Sequence, residues 1–240
     1  MTTLFKFTIA DWFALAPQLH SREAWLDWAR QRVPLGTELA LPVLDFVPSL
    51  QRRRLSPLLK MAMYSCYQLH GDGDIDCVFA SRHGDLHSTD KMLLSLAEGE
   101  PVSPTLFSHA VHNAAPGLFS ILTGNKAPHT AIAAGSRTFT AGLIEAVNKL
   151  YAEELEQILF CYYDYLVPDH YQQFLSAKEI PVAIALKLSR SNTHGITLGF
   201  EACPHPSSEE NDKAVHFLTW ILDDHVQHSI TLDSWQFSHH

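Results

Sequence analysis

Apolar residues along the chain come in short blocks whose period changes, and the period assigns the elements. Leu4–Ile9 alternates in part and predicts a strand. Arg22–Arg32 carries Trp25, Leu26 and Trp28 and predicts a helix that stops before Pro34. Leu41–Pro48 is a proline-punctuated connection. Arg54–Leu69 predicts a second helix, with Leu58, Leu59, Met61, Ala62 and Cys66 at helical spacing. Gly71–Asp74 is a turn, and Ile75–Ala80 a buried strand. Ser88–Glu98 predicts a helix capped at Ser88 or Thr89, and Pro116–Thr123 a short one. His129–Gly135 predicts a strand that runs into a helix over Thr138–Ala152, where Phe139, Leu143, Val147, Leu150 and Tyr151 share a face. Gln157–Tyr163 is an apolar strand. Pro181–Leu188 and Ile196–Ala202 predict two more, joined as a hairpin at Ser191-Asn192. Pro204–Asn211 reads as a polar loop and Ala214–Leu222 as a last helix. Strands alternate with helices early and cluster late. That order predicts an α/β fold with a mixed sheet covered by helices.

Composition narrows the function classes. The 240 residues are 46% apolar and 18% charged, with a formal net charge of −9. A chain of this kind folds around its own core without needing disulfides, and an acidic balance argues against a dedicated nucleic-acid binder. No apolar run reaches the ~18 residues of a spanning helix. Lys6 and Asp11 interrupt the N-terminal apolar stretch, so a signal peptide is not expected and a cytoplasmic location is. Cys66, Cys77, Cys161 and Cys203 form no C-x-x-C pair, which removes zinc and thioredoxin patterns and leaves free thiols. Fifteen histidines are many, and His239 and His240 read as a tail.

Few local motifs carry chemistry. Asp72-x-Asp74-x-Asp76 opens like a calcium loop, but Cys77 stands where glycine is required and His83 where glutamate is. His83, Asp85 and His87, or His109 with His112, lack a complete ligand set at recognisable spacing. The sharpest feature is Gly135-Ser136 at a strand-to-helix turn, where a helix N-terminus favours negative charge. The surrounding A-G-S-R-T is not G-x-S-x-G, so Ser136 reads as a helix cap before it reads as a nucleophile.

Ser108–Gly142 (SHAVHNAAPGLFSILTGNKAPHTAIAAGSRTFTAG) resembles the β-ketoacyl-acyl-carrier-protein synthases, in the part leading into their catalytic cysteine. Asn113, Gly117, Ile121, Gly124, Pro128, Ile132 and Ala133 stand at that family's spacings without a gap, and Gln51–Lys60 and Ser81–Asp85 add to the likeness. The chain is similar to the short β-ketoacyl synthase N-terminal-like proteins, which occur beside full-length synthases in aryl-polyene and related polyketide pathways and resemble chain-length factors. The likeness is strongest over 51–163 and implies one domain over 1–240. The implied fold is a thiolase-like half, a mixed but mainly parallel sheet flanked by helices, truncated relative to full ketosynthases.

The resemblance also sets expectations for function. Ser136 occupies the position of the family's nucleophilic cysteine, and the sequence ends 104 residues later, too soon for the second half-domain that supplies the family's catalytic histidines. His194 precedes a glycine as a catalytic histidine would, but it falls in the expected hairpin. Decarboxylative condensation needs a thiolate and two groups that stabilise developing charge. The expectation is therefore a non-catalytic subunit without a cofactor, paired with a full-length synthase. His129, Thr130, Ala131, Ile132, Ala133 and Ala134 would form the partner interface. Leu106 and Phe107 would wall the partner's acyl pocket, or else belong to the core. Arg52, Arg53, Arg54 and Lys60 could meet an acidic acyl carrier protein, or form a solvated helix start. The rival reading is a serine-dependent acyltransferase or thioesterase using Ser136; a plain folding stabiliser of the synthase is a third.

Overall fold

Two apolar faces of one sheet set the architecture. A computed structural model describes residues 2–175, 179–191, 195–200, 210–223 and 228–239. Along the chain the strands are β1 (Thr2–Leu15), β2 (Asp76–Ala80), β3 (His129–Ile132), β4 (Gln157–Asp164), β5 (Val182–Arg190), β6 (Ile196–Phe200), β7 (Ser229–Leu232) and β8 (Trp235–His239). They form an eight-stranded sheet in the order β3-β2-β4-β5-β1-β6-β8-β7. Among the described residues only β3, β2 and β4 pair in parallel, and the other ladders are antiparallel. The sheet is mixed rather than mainly parallel, which corrects the expectation.

The helices are α1 (Arg22–Gln31), α2 (Ser49–Arg52), α3 (Pro57–Tyr67), α4 (Leu86–Ala97), α5 (Pro104–Ala110), α6 (Ala114–Thr123), α7 (Thr138–Ala152) and α8 (Glu210–Leu222). Strand residues alternate between the faces. Val78, Phe160, Tyr162, Ile184 and Leu186 point to one side and pack under Phe139, Leu143, Val147 and Leu150 of α7, with Phe217 and Leu218 of α8. Cys77, Phe79, Leu159, Cys161 and Ala185 point to the other, under Leu58, Leu59, Ala62 and Cys66 of α3 and Phe119 of α6. Four of the five residues expected on the α7 face are fully buried. The fifth, Tyr151, is half-buried and hydrogen-bonds the Lys6 backbone, donating to its carbonyl and accepting from its N–H at 3.2 Å.

Other differences from the expected elements have local causes. The first strand is longer, because irregularities between Thr3 and Phe5 and between Ile9 and Asp11 absorb the breaks in alternation. Asp11 turns its carboxylate to Arg22 at 2.6 Å. The strands flanking Ser191 do not form a hairpin, since β1 lies between β5 and β6; Asn192 and His194 lie outside the described residues. The helix expected from Arg54 starts at Pro57, capped by Ser56, whose hydroxyl accepts from Leu59 N. A residue before proline is pushed out of helical geometry. The cap of α4 is Asp85, not Ser88 or Thr89. The loop expected to end at Asn211 ends before Glu210, where α8 begins, and 201–209, with Cys203, lie outside the described residues. Of the two terminal histidines, His239 is not a tail: it belongs to β8 and packs on Trp220 with ring centroids 4.1 Å apart, while His240 lies outside the described residues.

At Gly142, α7 approaches the sheet closely. A Cβ there would lie 2.7 Å from Ala80 Cβ and 2.8 Å from Phe160 Cε2. Alanine gains about 1 kcal/mol of helix propensity over glycine, but overpacking a core costs about 1–3 kcal/mol. Gly142→Ala is expected to destabilise the fold, read as a lower urea midpoint.

Candidate functional site

The parallel edge of the sheet ends at β3. It follows the αL cap Gly124 and the connection to Pro128, and among the described residues it pairs only with β2. Cys77 N donates to Pro128 O and Ser81 N to Ile132 O. Backbone groups alternate sides along a strand, so the N–H and C=O of His129 and Ala131 face away from the sheet. Of the six expected interface residues, His129–Ile132 form this edge, while Ala133 and Ala134 lead into the next turn.

That turn, Gly135–Arg137, is a single 3₁₀ turn with Gly135 at φ +59°. Ser136 is exposed and caps nothing: neither the turn nor α7 has a side-chain cap at its N-cap position. Thr138 stabilises the segment instead, its hydroxyl donating to Gly135 O at 2.8 Å and accepting from Ala134 N at 2.9 Å. Lys213 of α8 donates to Ser136 O at 2.6 Å and to Asp233 Oδ1 at 2.7 Å. Lys213 thus holds the Ser136 carbonyl and is committed to a carboxylate, which leaves it no role as a base for the hydroxyl. Beside the turn is a cleft of ≈ 510 Å³ lined by Ile132 of β3, Arg137, Ile144 and the Asp233–Trp235 turn. The cleft brings Ile132 of β3, at one end of the sheet, together with the turn that joins β7 to β8 at the other.

Leu106 and Phe107 lie on α5, an element the sequence pattern did not reveal. None of its residues is buried, so it carries no apolar stripe; Ser103-Pro104, a cap followed by proline at the first helical position, was its available signal. Leu106 is half-buried and Phe107 is 61% exposed, which overturns the reading of both as core. α4 packs on α5, α5 on α6, and α6 on β2 and β3. On these helices Leu93, Leu94, Leu96 and Ile121 are also exposed. Exposed apolar side chains thus recur along α4, α5 and α6, the last of which packs on β3.

One arginine of the basic cluster is engaged within the fold. Arg52 donates to Leu44 O at 3.1 Å and Asp45 Oδ1 at 3.2 Å, fixing the connection before α2. Arg53 and Arg54 are exposed, and Lys60 is half-buried on α3.

The histidines expected as loose metal candidates are dispersed. His83 Nε2 meets Glu179 Oε1 at 2.9 Å, His87 Nε2 meets Leu166 O at 2.7 Å, and His112 Nε2 meets Ser81 O at 2.9 Å. Asp85 Oδ1 accepts from Ser88 N. These contacts tie the start of α4 and the approach to α6 onto the C-terminal ends of β2 and β4. Their centre is Asp164, which accepts from Ser81 Oγ and from the N–H groups of Arg82 and His83. Burial pushes the Asp164 carboxyl above the usual range, against the pull of those donors and of His83. The sequence pointed to Ser81–Asp85 through the family likeness and to His83 and Asp85 as loose metal candidates; their buried partners Asp164 and Glu179 had no local signal. Burial likewise pushes the Cys77 thiol up to about 12, so this cysteine is inert as a nucleophile.

No described helix is long and apolar enough to cross a membrane. A family model for the beta-ketoacyl synthase N-terminal domain matches residues 25–238. Comparison with curated protein sequences returned no match. Among solved structures, the chain aligns with one in the complex of the ketosynthase ApeO with its chain length factor ApeC from Xenorhabdus doucetiae, at 26% identity and TM-score 0.79, covering 98% of each chain. It also aligns with the ishigamide ketosynthase/chain length factor, at 14% identity and TM-score 0.61, covering 82% of this chain and 68% of that one. A type II polyketide synthase complex of ketosynthase AntDE with its acyl-carrier protein AntF aligns at 13% identity and TM-score 0.59, covering 82% and 69%. The last two likenesses speak for the fold alone.

Proposed function

The chain belongs to the beta-ketoacyl synthase N-terminal domain family, and from that premise we propose that it is a chain-length-factor-like subunit that pairs with an active β-ketoacyl synthase in polyketide or aryl-polyene assembly. The observation that carries this is the end-to-end match, 98% of both chains, with a chain of a ketosynthase/chain length factor complex. Ser136 at the family's cysteine position supports a subunit that does not hold the acyl chain itself, because a hydroxyl is scarcely ionised at neutral pH. The synthase supplies the thiolate and the groups that stabilise the enolate, and the complex works in the cytoplasm.

In this reading β3 pairs across the dimer axis through His129 and Ala131, and the apolar side of α4, α5 and α6 is covered by the synthase. An unpaired strand edge is a template for another strand, and exposed apolar groups beside it add hydrophobic gain. Phe107 and Leu106 wall the acyl pocket at that junction. Arg53 and Arg54, with Lys60, offer positive charge to an acidic acyl carrier protein.

Acyl transfer through Ser136 makes a different prediction. Intact-mass measurement of the purified chain with an acyl thioester should show no adduct; a stoichiometric adduct lost in Ser136→Ala would establish the enzymatic alternative. Phe107→Ala, with the complex still intact, should shift products to longer chains by at least one extension unit, read by mass spectrometry. Unchanged product length would reduce the subunit to a stabiliser of the synthase.

A further inference from the structure

The Ala133–Arg137 segment combines an exposed outside with a tightly held underside. Ala133, Gly135, Ser136 and Arg137 are exposed, and four of the five residues from 133 to 137 have side chains no larger than serine's, Arg137 excepted. Turns with such side chains are ordinarily the mobile parts of a fold. Here two fully packed side chains hold the backbone from below. Thr138 is 0% exposed and bonds both Ala134 N and Gly135 O. Lys213 is 1% exposed and bonds Ser136 O, its charge balanced by Asp233, which sits at φ +55° in the β7–β8 turn. Arg137 N closes the turn on Ala134 O at 3.2 Å. Burying an ammonium is costly unless it is paired and hydrogen-bonded, and Lys213 meets both conditions at the carbonyl of the residue in the former nucleophile position.

We infer that Lys213, Asp233 and Thr138 are positioning residues that preorganise the 133–137 turn as a rigid, small-side-chain recognition surface for the partner synthase. The inference rests on the proposed pairing and names what fixes its geometry. A surface already ordered before binding loses less conformational freedom on association. The turn continues directly from the outward-facing edge of β3, so its position sets how closely a partner backbone can approach.

The test compares wild type, Lys213→Met/Asp233→Asn, Thr138→Val and Thr138→Ser, each as the full chain. Removing both charges together avoids stranding a buried ion. Thr138→Val keeps the shape and loses the bonds, and Thr138→Ser keeps the hydroxyl. Amide hydrogen exchange should quicken at 133–137 in the first two variants, with β4 and β5 protection unchanged, while Thr138→Ser stays like wild type. Affinity for the purified synthase should fall at least tenfold in the first two and recover in Thr138→Ser. Folded variants with wild-type affinity overturn the inference, as does exchange that quickens uniformly across the fold. A wild-type chain that does not bind the synthase overturns the proposed function itself, and the recognition role with it.

Discussion

Ala131→Pro is expected to weaken association with the synthase about ten- to a hundredfold while leaving the isolated fold close to wild-type stability. The ladder explains the asymmetry. Pro128 O and Ile132 O accept from β2, so the intervening odd-numbered positions turn their backbone groups outward. Proline at Ala131 removes an outward donor and none of the β2–β3 bonds, and proline is tolerated on edge strands for this reason. The partner's carbonyl, desolvated on pairing and left without a donor, costs about 1–3 kcal/mol. Ala131→Ser retains the N–H and should copurify with the synthase as wild type does. Copurification of a folded Ala131→Pro chain at wild-type yield would place the interface elsewhere.

Phe139→Ala is expected to cost about 3–5 kcal/mol, the largest effect of any single truncation on α7. The ring meets Phe160 at 5.7 Å, Tyr162 at 5.5 Å and Phe217 at 5.5 Å between centroids, so it joins α7 to the centre of the sheet and to α8. A domain has only about 5–15 kcal/mol in total, and at this length the loss corresponds to a melting point lower by roughly 6–20 °C. Phe139→Leu retains more volume and should lose less. A Phe139→Ala chain melting within about 2 °C of wild type would show that α8 does not depend on this ring.

What the sequence made legible follows from where the information is local. The Thr138–Ala152 helix was readable because apolar side chains at helical spacing, Phe139, Leu143, Val147 and Leu150, report one buried face. The buried strands β2 and β4 were readable because short, largely apolar runs have few other solutions. The pairing of β1 was not, because it depends on residues about 180 positions apart in sequence, and loop closure over such a distance leaves no mark on either segment. β7 and β8 escaped notice because each is short, although Ile230, Leu232 and Phe237 are buried and Asp233-Ser234 is a turn pair between them. At the site, the β3 strand and the Gly135-Ser136 turn were legible from the local pattern, while the roles expected of them and of Phe107 came from family likeness. Lys213 and Asp233 were not legible, because an ion pair joining α8 to the turn between two late strands has no signature in either segment alone.

The central claim, that this chain supports condensation without performing it, is tested most directly by reconstitution. The purified chain, the purified synthase and the two together would each be given acyl and malonyl carrier protein, and products followed by mass spectrometry. The account predicts extended chains from the mixture and none from this chain alone, with Ser136→Ala indistinguishable from wild type in the mixture. Elongation by this chain on its own, abolished by Ser136→Ala, would contradict it.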